Sequence, residues 1–276
     1  MGFEKIAFLY TKLAISSHIV LNLHTMIEQV EPGNVLFLDI ETVSDKPAYD
    51  ALSETFQELW RIKSKSVRKS AEEADEAEIA ASYKDRAAIF AEFGRIICIS
   101  VGSLRREKES GKLTLRLTSF YGHDEKVLLE DFSKLIQQHY GDPNKHSLCG
   151  HNIREFDIPY ICRRMVVNQL PFPAMLNLSG KKPWEMRHLL DTMELWKFGD
   201  GKNYTSLKLL AALLGFPSPK DDIDGSDVGR VYWEENDIER IATYCEKDVL
   251  ATVQLFLRFR RVPILEEGQV SFVRQS

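Results

Sequence analysis

Two carboxylates, Asp39 and Glu41, lie two residues apart in the stretch NVLFLDIETV, directly after the apolar run at 35–38. That run follows the turn residues Pro32, Gly33 and Asn34 and predicts a central strand covered on both faces. Residues two apart on a strand project from one face, so both acids leave the end of a dry strand in the same direction. An unpartnered buried carboxylate is costly, and a like charge beside it adds repulsion. A divalent cation would relieve both. The plainer alternative is a D-x-E at a strand end facing water, and this stretch alone does not separate the two.

Other groups later in the chain could join them. Asp157 closes GHNIREFD and falls in the first turn of a helix predicted to begin near Phe156. The helix dipole favours a carboxylate there, so Asp157 alone reads equally well as an acid of the capping region. Tyr244 and Asp248 are i and i+4 on the last predicted helix, one above the other at the rim of the stripe Ile238, Ile241, Ala242, Cys245, Val249, Val253 and Phe256. Taken alone, they read as a partly buried phenol beside an exposed acid. His151 reads as a turn residue or supporting donor rather than a ligand, and Asn152 holds either the turn or a substrate group.

The elements that must position these groups alternate between strand and helix. Residues 95–104 and 113–121 read as a hairpin joined through EKESGK. Residues 124–140 form an amphipathic helix with Val127, Leu128, Phe132, Leu135 and Ile136 inward, closed by Gly141 and Pro143. A short strand precedes the Gly-His-Asn turn. Residues 187–195, with Asp191, read as a further strand, and 204–214 as a helix closed by Gly215 and Pro217. The polar loop 218–230 is expected to be mobile and in reach of the site. Asn236 reads as the N-cap of the last helix, 237–261, with Glu239 three residues on as in a capping box. After the first strand, 47–92 is charged and helical in pattern, with Phe56, Leu59, Trp60 and Ile62 as apolar anchors. It holds a basic cluster (Arg61, Lys63, Lys65, Arg68, Lys69) and then an acidic one at 72–78. A solvated helical face is the favoured reading; a mobile flap whose basic half meets a phosphate backbone is the alternative.

The chain has 276 residues, 44% hydrophobic and 28% charged, which suits one large globular domain or a domain with appendages. A formal net charge of -5 excludes the bulk basic character of a passive nucleic-acid coat, though not a nucleic-acid enzyme with local basic residues. Cys98, Cys149, Cys162 and Cys245 show no C-x-x-C spacing and read as reduced thiols. The mildly apolar run at 6–23 is broken by Lys12, Ser16, Ser17 and His18 and lacks a cleavage site. Neither a signal peptide nor a membrane span is expected, and the expected location is cytoplasmic. Residues 1–25, just ahead of Met26, read either as a dispensable extension or as a helix packed on the domain.

In order, the chain shows D-x-E-T, then GHN-x-x-x-FD, then Y-x-x-x-D. This resembles the three exonuclease motifs of the DEDD superfamily of 3'–5' exonucleases, and specifically its tyrosine subgroup. The histidine subgroup would need His at the position of Thr243. More narrowly, DIETV, LLDTMEL, LKLLAALLG, DIDGSDV and YCEKDVLATVQLF look like the proofreading exonuclease domain of family B DNA polymerases. The resemblance covers about 35–260 and implies an α/β, ribonuclease H-like fold. The expected fold is a mixed five-stranded sheet flanked by helices, with a helical insertion at about 47–92. The expected layout is an N-terminal extension at 1–33, the exonuclease domain at 34–262 and a C-terminal tail at 263–276.

By the same resemblance, Asp39, Glu41, Asp157 and Asp248 would hold two Mg²⁺ or Mn²⁺ ions, with Asp39 bridging. Tyr244 would orient the attacking water. Ile40, Thr42 and Val43 of the first motif, with Asn152 and Phe156, would contact the terminal nucleotide. The implied substrate is single-stranded DNA, with RNA as the alternative, releasing nucleoside 5'-monophosphates in proofreading or DNA repair. Physical chemistry agrees on the metal: four converging carboxylates repel one another, and oxygen ligands suit Mg²⁺ or Mn²⁺ better than zinc. Two competing readings are a catalytically silent nucleic-acid-binding module and an endonuclease on the same fold.

Overall fold

The computed structural model describes residues 27–68, 74–201, 204–217 and 222–273. The expected N-terminal extension at 1–25, Lys69, and the loop positions 218–221 lie outside them.

The strands are β1 (Val35–Ser44), β2 (Gly94–Arg106), β3 (Leu113–Tyr121), β4 (Ser147–Gly150), β5 (Leu189–Asp191) and β6 (Val270–Phe272). The helices are α1 (Glu54–Arg68), α2 (Glu76–Arg86), α3 (Glu125–His139), α4 (Asp157–Val167), α5 (Thr192–Lys197), α6 (Leu207–Leu214) and α7 (Ile238–Phe259). One six-stranded sheet runs in the order β5-β4-β1-β2-β3-β6. β2 lies antiparallel to β1 and β3, while β4 is parallel to β1, β5 to β4 and β6 to β3. The family-level expectation of a mixed sheet flanked by helices holds. The expected count of five strands is one short, because residues assigned to a tail at 263–276 supply β6 at the edge beside Leu115. Three residues give too weak a period for a strand to be read from sequence.

β1 is dry on both faces, as its apolar run requires. Leu36, Leu38 and Ile40 enter a core shared with α3 and α4. Val35 and Phe37 enter a second core with Val249, Val253 and Phe256 of α7. There the Phe37 and Phe256 rings meet edge to face at 5.1 Å. Side chains alternate along the strand, so Asp39 and Glu41 continue the Phe37 face, toward α7.

Several boundaries differ from the sequence reading. The strand expected at 187–195 is only Leu189–Asp191, and the chain then turns into α5. Asp191 and Glu194 are themselves a D-x-x-E capping pattern, which the leucines on either side obscured. α7 is capped by Asp237, whose side chain accepts from Arg240 N–H, while Asn236 sits in the left-handed region at φ 54° and ends the preceding turn. In the insertion, Trp60 is the one anchor of the expected four that is buried; Phe56, Leu59 and Ile62 are exposed. Trp60 packs edge to face on Tyr83 and Phe93. Arg61 of the basic cluster pairs with Glu76 inside the insertion. The insertion is thus folded around its own small core. Residues ahead of β1 are packed too: Ile27 is buried against α7, and Arg260 Nη1 donates to the Ile27 and Val30 carbonyls. No helix among the described residues is long and apolar enough to cross a membrane.

One buried ion pair ties α3, β2 and α4 together. Glu125 accepts from Arg164 Nη2 at 2.6 Å, Arg164 Nε at 2.8 Å, Ile96 N at 2.7 Å and Asn168 Nδ2 at 2.8 Å. This fixes the helix that carries Asp157. Removing one partner of a buried pair strands the other charge, at a cost of about 3–5 kcal/mol. We therefore expect Glu125→Ala to lower unfolding stability by about that amount in urea titration. A loss below about 1 kcal/mol would contradict a tie of this kind.

Candidate active site

The site forms where β1 loses its neighbour. β4 pairs with β1 only as far as Phe37↔Cys149 and stops at Gly150. Gly150 has to be glycine, because a Cβ there would sit 2.8 Å from Ile153 Cβ and 3.0 Å from the Leu38 carbonyl. Beyond it the chain turns through Asn152, held at φ 68°, a conformation Asn tolerates better than most residues. The edge of β1 left open by β4 is met by Asp157 at the start of α4: Ile40 N–H donates to Asp157 Oδ1 at 3.2 Å. A strand end and a helix N-terminus are thereby joined through a carboxylate.

Asp191 holds the turn from behind. Its buried carboxylate accepts from Asn152 N and Arg154 N, both at 3.0 Å, and also from Met193 N at 2.9 Å and Glu194 N at 3.3 Å, capping α5. His151 spans the same turn: Nε2–H donates to the Thr205 carbonyl and Nδ1 takes the Thr192 hydroxyl, both at 2.9 Å. Burial lowers its pKa, keeping it neutral for that pattern. His151 is accordingly a support for the turn, as read from sequence. The side chain of Asn152 makes no hydrogen bond among the described residues and is left for other use.

α7 brings the remaining groups. Cys245 Sγ lies 3.3 Å from Asp39 Oδ2, and ligand atoms of Asp39, Glu41 and Cys245 fall within 4.8 Å of one another. The Tyr244 phenol donates to Asp248 one turn on. Between Glu41 and Thr42 the β1–β2 register slips by one residue, an irregularity of the kind that re-aims side chains near active sites. Glu41 and Asp157 are buried, whereas Asp39 and Asp248 keep a partial opening to solvent and mark the mouth.

The electrostatics show that these acids share one space. Burial, then the charges of Asp248 and Asp157, push Asp39 well above the usual carboxylate range. Glu41 is raised by burial and then by Asp39 and Asp248. Asp157 is raised to about 7, chiefly by burial, against the opposing help of hydrogen bonds from its own backbone and Ile40. Tyr244 is pushed far up by burial and the charges of Glu41, Asp248 and Asp39, so its O–H stays protonated. The Cys245 thiol is likewise raised by burial and by Cys98, and donates to Asp39 as a neutral thiol. No Lys or Arg pairs with Asp39, Glu41 or Asp157 among the described residues. Oxygen donors crowded this way, with positive charge lacking, fit a hard divalent cation.

Of the expected substrate contacts, Thr42 is part-buried with its hydroxyl donating to the Ala88 carbonyl at 2.9 Å, and Phe156 is part-buried against the Tyr160 ring. The side chains of Ile40 and Val43 are packed in apolar clusters, and the Ile40 backbone N–H reaches Asp157. The loop at 222–229 is better anchored than its polar sequence suggested, because Ile223 and Val228 bury beside Tyr244. Sequence reading missed Cys245 as a neighbour of Asp39. Its signal was present, since it occupies the α7 stripe position next to Tyr244.

The family described as a predicted 3'-5' exonuclease related to the exonuclease domain of PolB matches residues 89–269, more than half of the chain. The chain belongs to this family. The match to this exonuclease family takes in Asp157, Tyr244 and Asp248 and begins after β1, so Asp39 and Glu41 join them through the geometry above. No curated protein matches the chain.

A raised folded pKa predicts a definite pH dependence without metal. Asp157 titrates near 7 when folded and near 3.9 when unfolded. Its contribution to stability is therefore complete below about pH 4 and is lost as pH rises through 7. In EDTA, we expect the urea midpoint to fall between pH 5 and pH 8 and Asp157→Asn to remove much of that fall. Equal wild-type midpoints at the two pH values would contradict the crowding.

Proposed function

We propose that the chain is a metal-dependent 3'–5' exonuclease of the tyrosine DEDD type. It would hydrolyse phosphodiester bonds at the 3' end of single-stranded DNA, with RNA as the alternative, and release nucleoside 5'-monophosphates. The observation that carries this reading is the gathering of acids from β1, α4 and α7 into one mutually repelling group beside a protonated phenol, in a member of an exonuclease family.

In this reading Asp39, Glu41, Asp157 and Asp248 hold two Mg²⁺ or Mn²⁺ ions. The ions would supply charge stabilisation for the phosphoryl oxygens and acidify a water. The protein's own residues do the rest. Tyr244 is an O–H donor fixed on Asp248 and positions the water; its raised pKa makes it unfit as a base. Ile40 N–H fixes the orientation of Asp157, and the Cys245 thiol fixes Asp39. Asn152, Thr42 and Phe156 line the approach and contact the terminal nucleotide. The catalytic domain spans 34–262 with the insertion at about 47–92, and β6 adds an edge from beyond it. Work in proofreading or DNA repair follows from the resemblance.

Digestion of oligonucleotides with free and blocked 3' ends, in Mg²⁺ or Mn²⁺, tests this. We expect stepwise shortening of the free end only. Asp39→Ala is expected to lower the rate by at least a thousandfold, and Tyr244→Phe by about ten- to a thousandfold, the scale for loss of one positioned catalytic donor. Digestion that ignores the block would establish an endonuclease. Binding without digestion would establish a silent module.

A further inference from the structure

A second groove lies on the opposite face of the sheet. Its floor includes Leu36, which by strand alternation points away from Asp39 and Glu41. Its volume is about 820 Å³, within the range of small-molecule sites and far larger than one phosphate needs.

Its charge is one-sided. Arg105 and Arg116 line it, and no carboxylate does among the described residues, although the chain as a whole carries a net charge of -5. In the β2–β3 ladder Arg105 pairs with Thr114 and Arg116 with Ser103. The two arginines are therefore diagonal neighbours on one face, with Cα atoms roughly 7–8 Å apart. Both are exposed, and neither makes an ion pair among the described residues. An anion lying between two such neighbouring guanidiniums would be held from both sides. Paired guanidiniums match phosphate oxygens in a bidentate manner.

The rest of the groove is suited to a flat ring. Val101 and Phe120 extend the apolar floor. Tyr140 and His146 stand at the wall with rings in edge contact at 5.5 Å. His146 Nδ1 accepts from Asp142 N–H at 3.3 Å, which leaves Nε2 as its N–H donor.

We propose that this groove is a non-catalytic nucleotide site, with phosphate between Arg105 and Arg116 and the base over the apolar floor. The nucleotide is either free or one unit of a nucleic-acid strand. The proposal stands apart from the nuclease reading.

Calorimetric titration of the full chain in EDTA tests it, with adenosine 5'-diphosphate, pyrophosphate and a 3'-phosphorylated single-stranded oligonucleotide as probes. We expect adenosine 5'-diphosphate to bind more tightly than pyrophosphate, and the double variant Arg105→Gln/Arg116→Gln to weaken it at least tenfold without shifting the thermal midpoint. If the double variant proves unstable, each single variant should weaken binding at least threefold. Parallel weakening of the oligonucleotide would assign the site to a strand. Weakening of the diphosphate alone would assign it to a free nucleotide. Unchanged affinity in the variants, no binding of the diphosphate, or pyrophosphate binding equally well would overturn the proposal.

Discussion

Negative charge collected where water is largely shut out is the constraint on which the rest of this structure turns. Asp39, Glu41 and Asp157 each have their carboxyl pushed upward, first by burial and then by neighbouring carboxylates: Asp248 and Asp157 for Asp39, Asp39 and Asp248 for Glu41, and Asp191 and Asp248 for Asp157. A fold chosen only for stability would not keep them together, because like charges in a low dielectric oppose folding. The surrounding architecture can be understood as what is needed to hold them there. β1 is packed on both faces so that its end cannot move, and β4 stops early so that a helix N-terminus can reach the strand edge. α7 is anchored along its length by Val249, Val253 and Phe256.

Support behind the acids is itself built from buried polar groups, each satisfied. Asp191 takes the backbone N–H groups of the Gly-His-Asn turn. Glu125 ties α4 to β2 through Arg164 and Ile96 N–H. Ser100 and Ser119 meet at 2.7 Å, and Ser119 donates to Glu246 of α7 at 2.8 Å, linking the helix to the sheet behind Cys98 and Cys245. Such networks strengthen in a low dielectric when complete, so they position what the acids alone would push apart.

Much of this was legible in the chain. The apolar run before Asp39 announced a central strand, and the stripe on α7 put Tyr244 and Asp248 at its buried rim. What stayed hidden has a physical reason in each case. Asp191 looked like part of a strand because Leu189 and Leu190 precede it, yet its carboxylate serves backbone donors at distant positions. Asn236 and Asp237 are both good capping residues, and only the left-handed turn at Asn236 selects the latter. β6 is too short to carry a period. The apolar stripe expected on α1 faces outward except for Trp60, since the insertion buries its ring in a local cluster that includes Tyr83 and Phe93.

The most direct measurement of the central claim is an anomalous scattering map from crystals of the protein grown with Mn²⁺. The account predicts manganese signal bonded by carboxylate oxygens of Asp39 together with Glu41, Asp157 and Asp248. Signal held by Asp39 and Glu41 without Asp157 and Asp248, or none in this cleft, would contradict it.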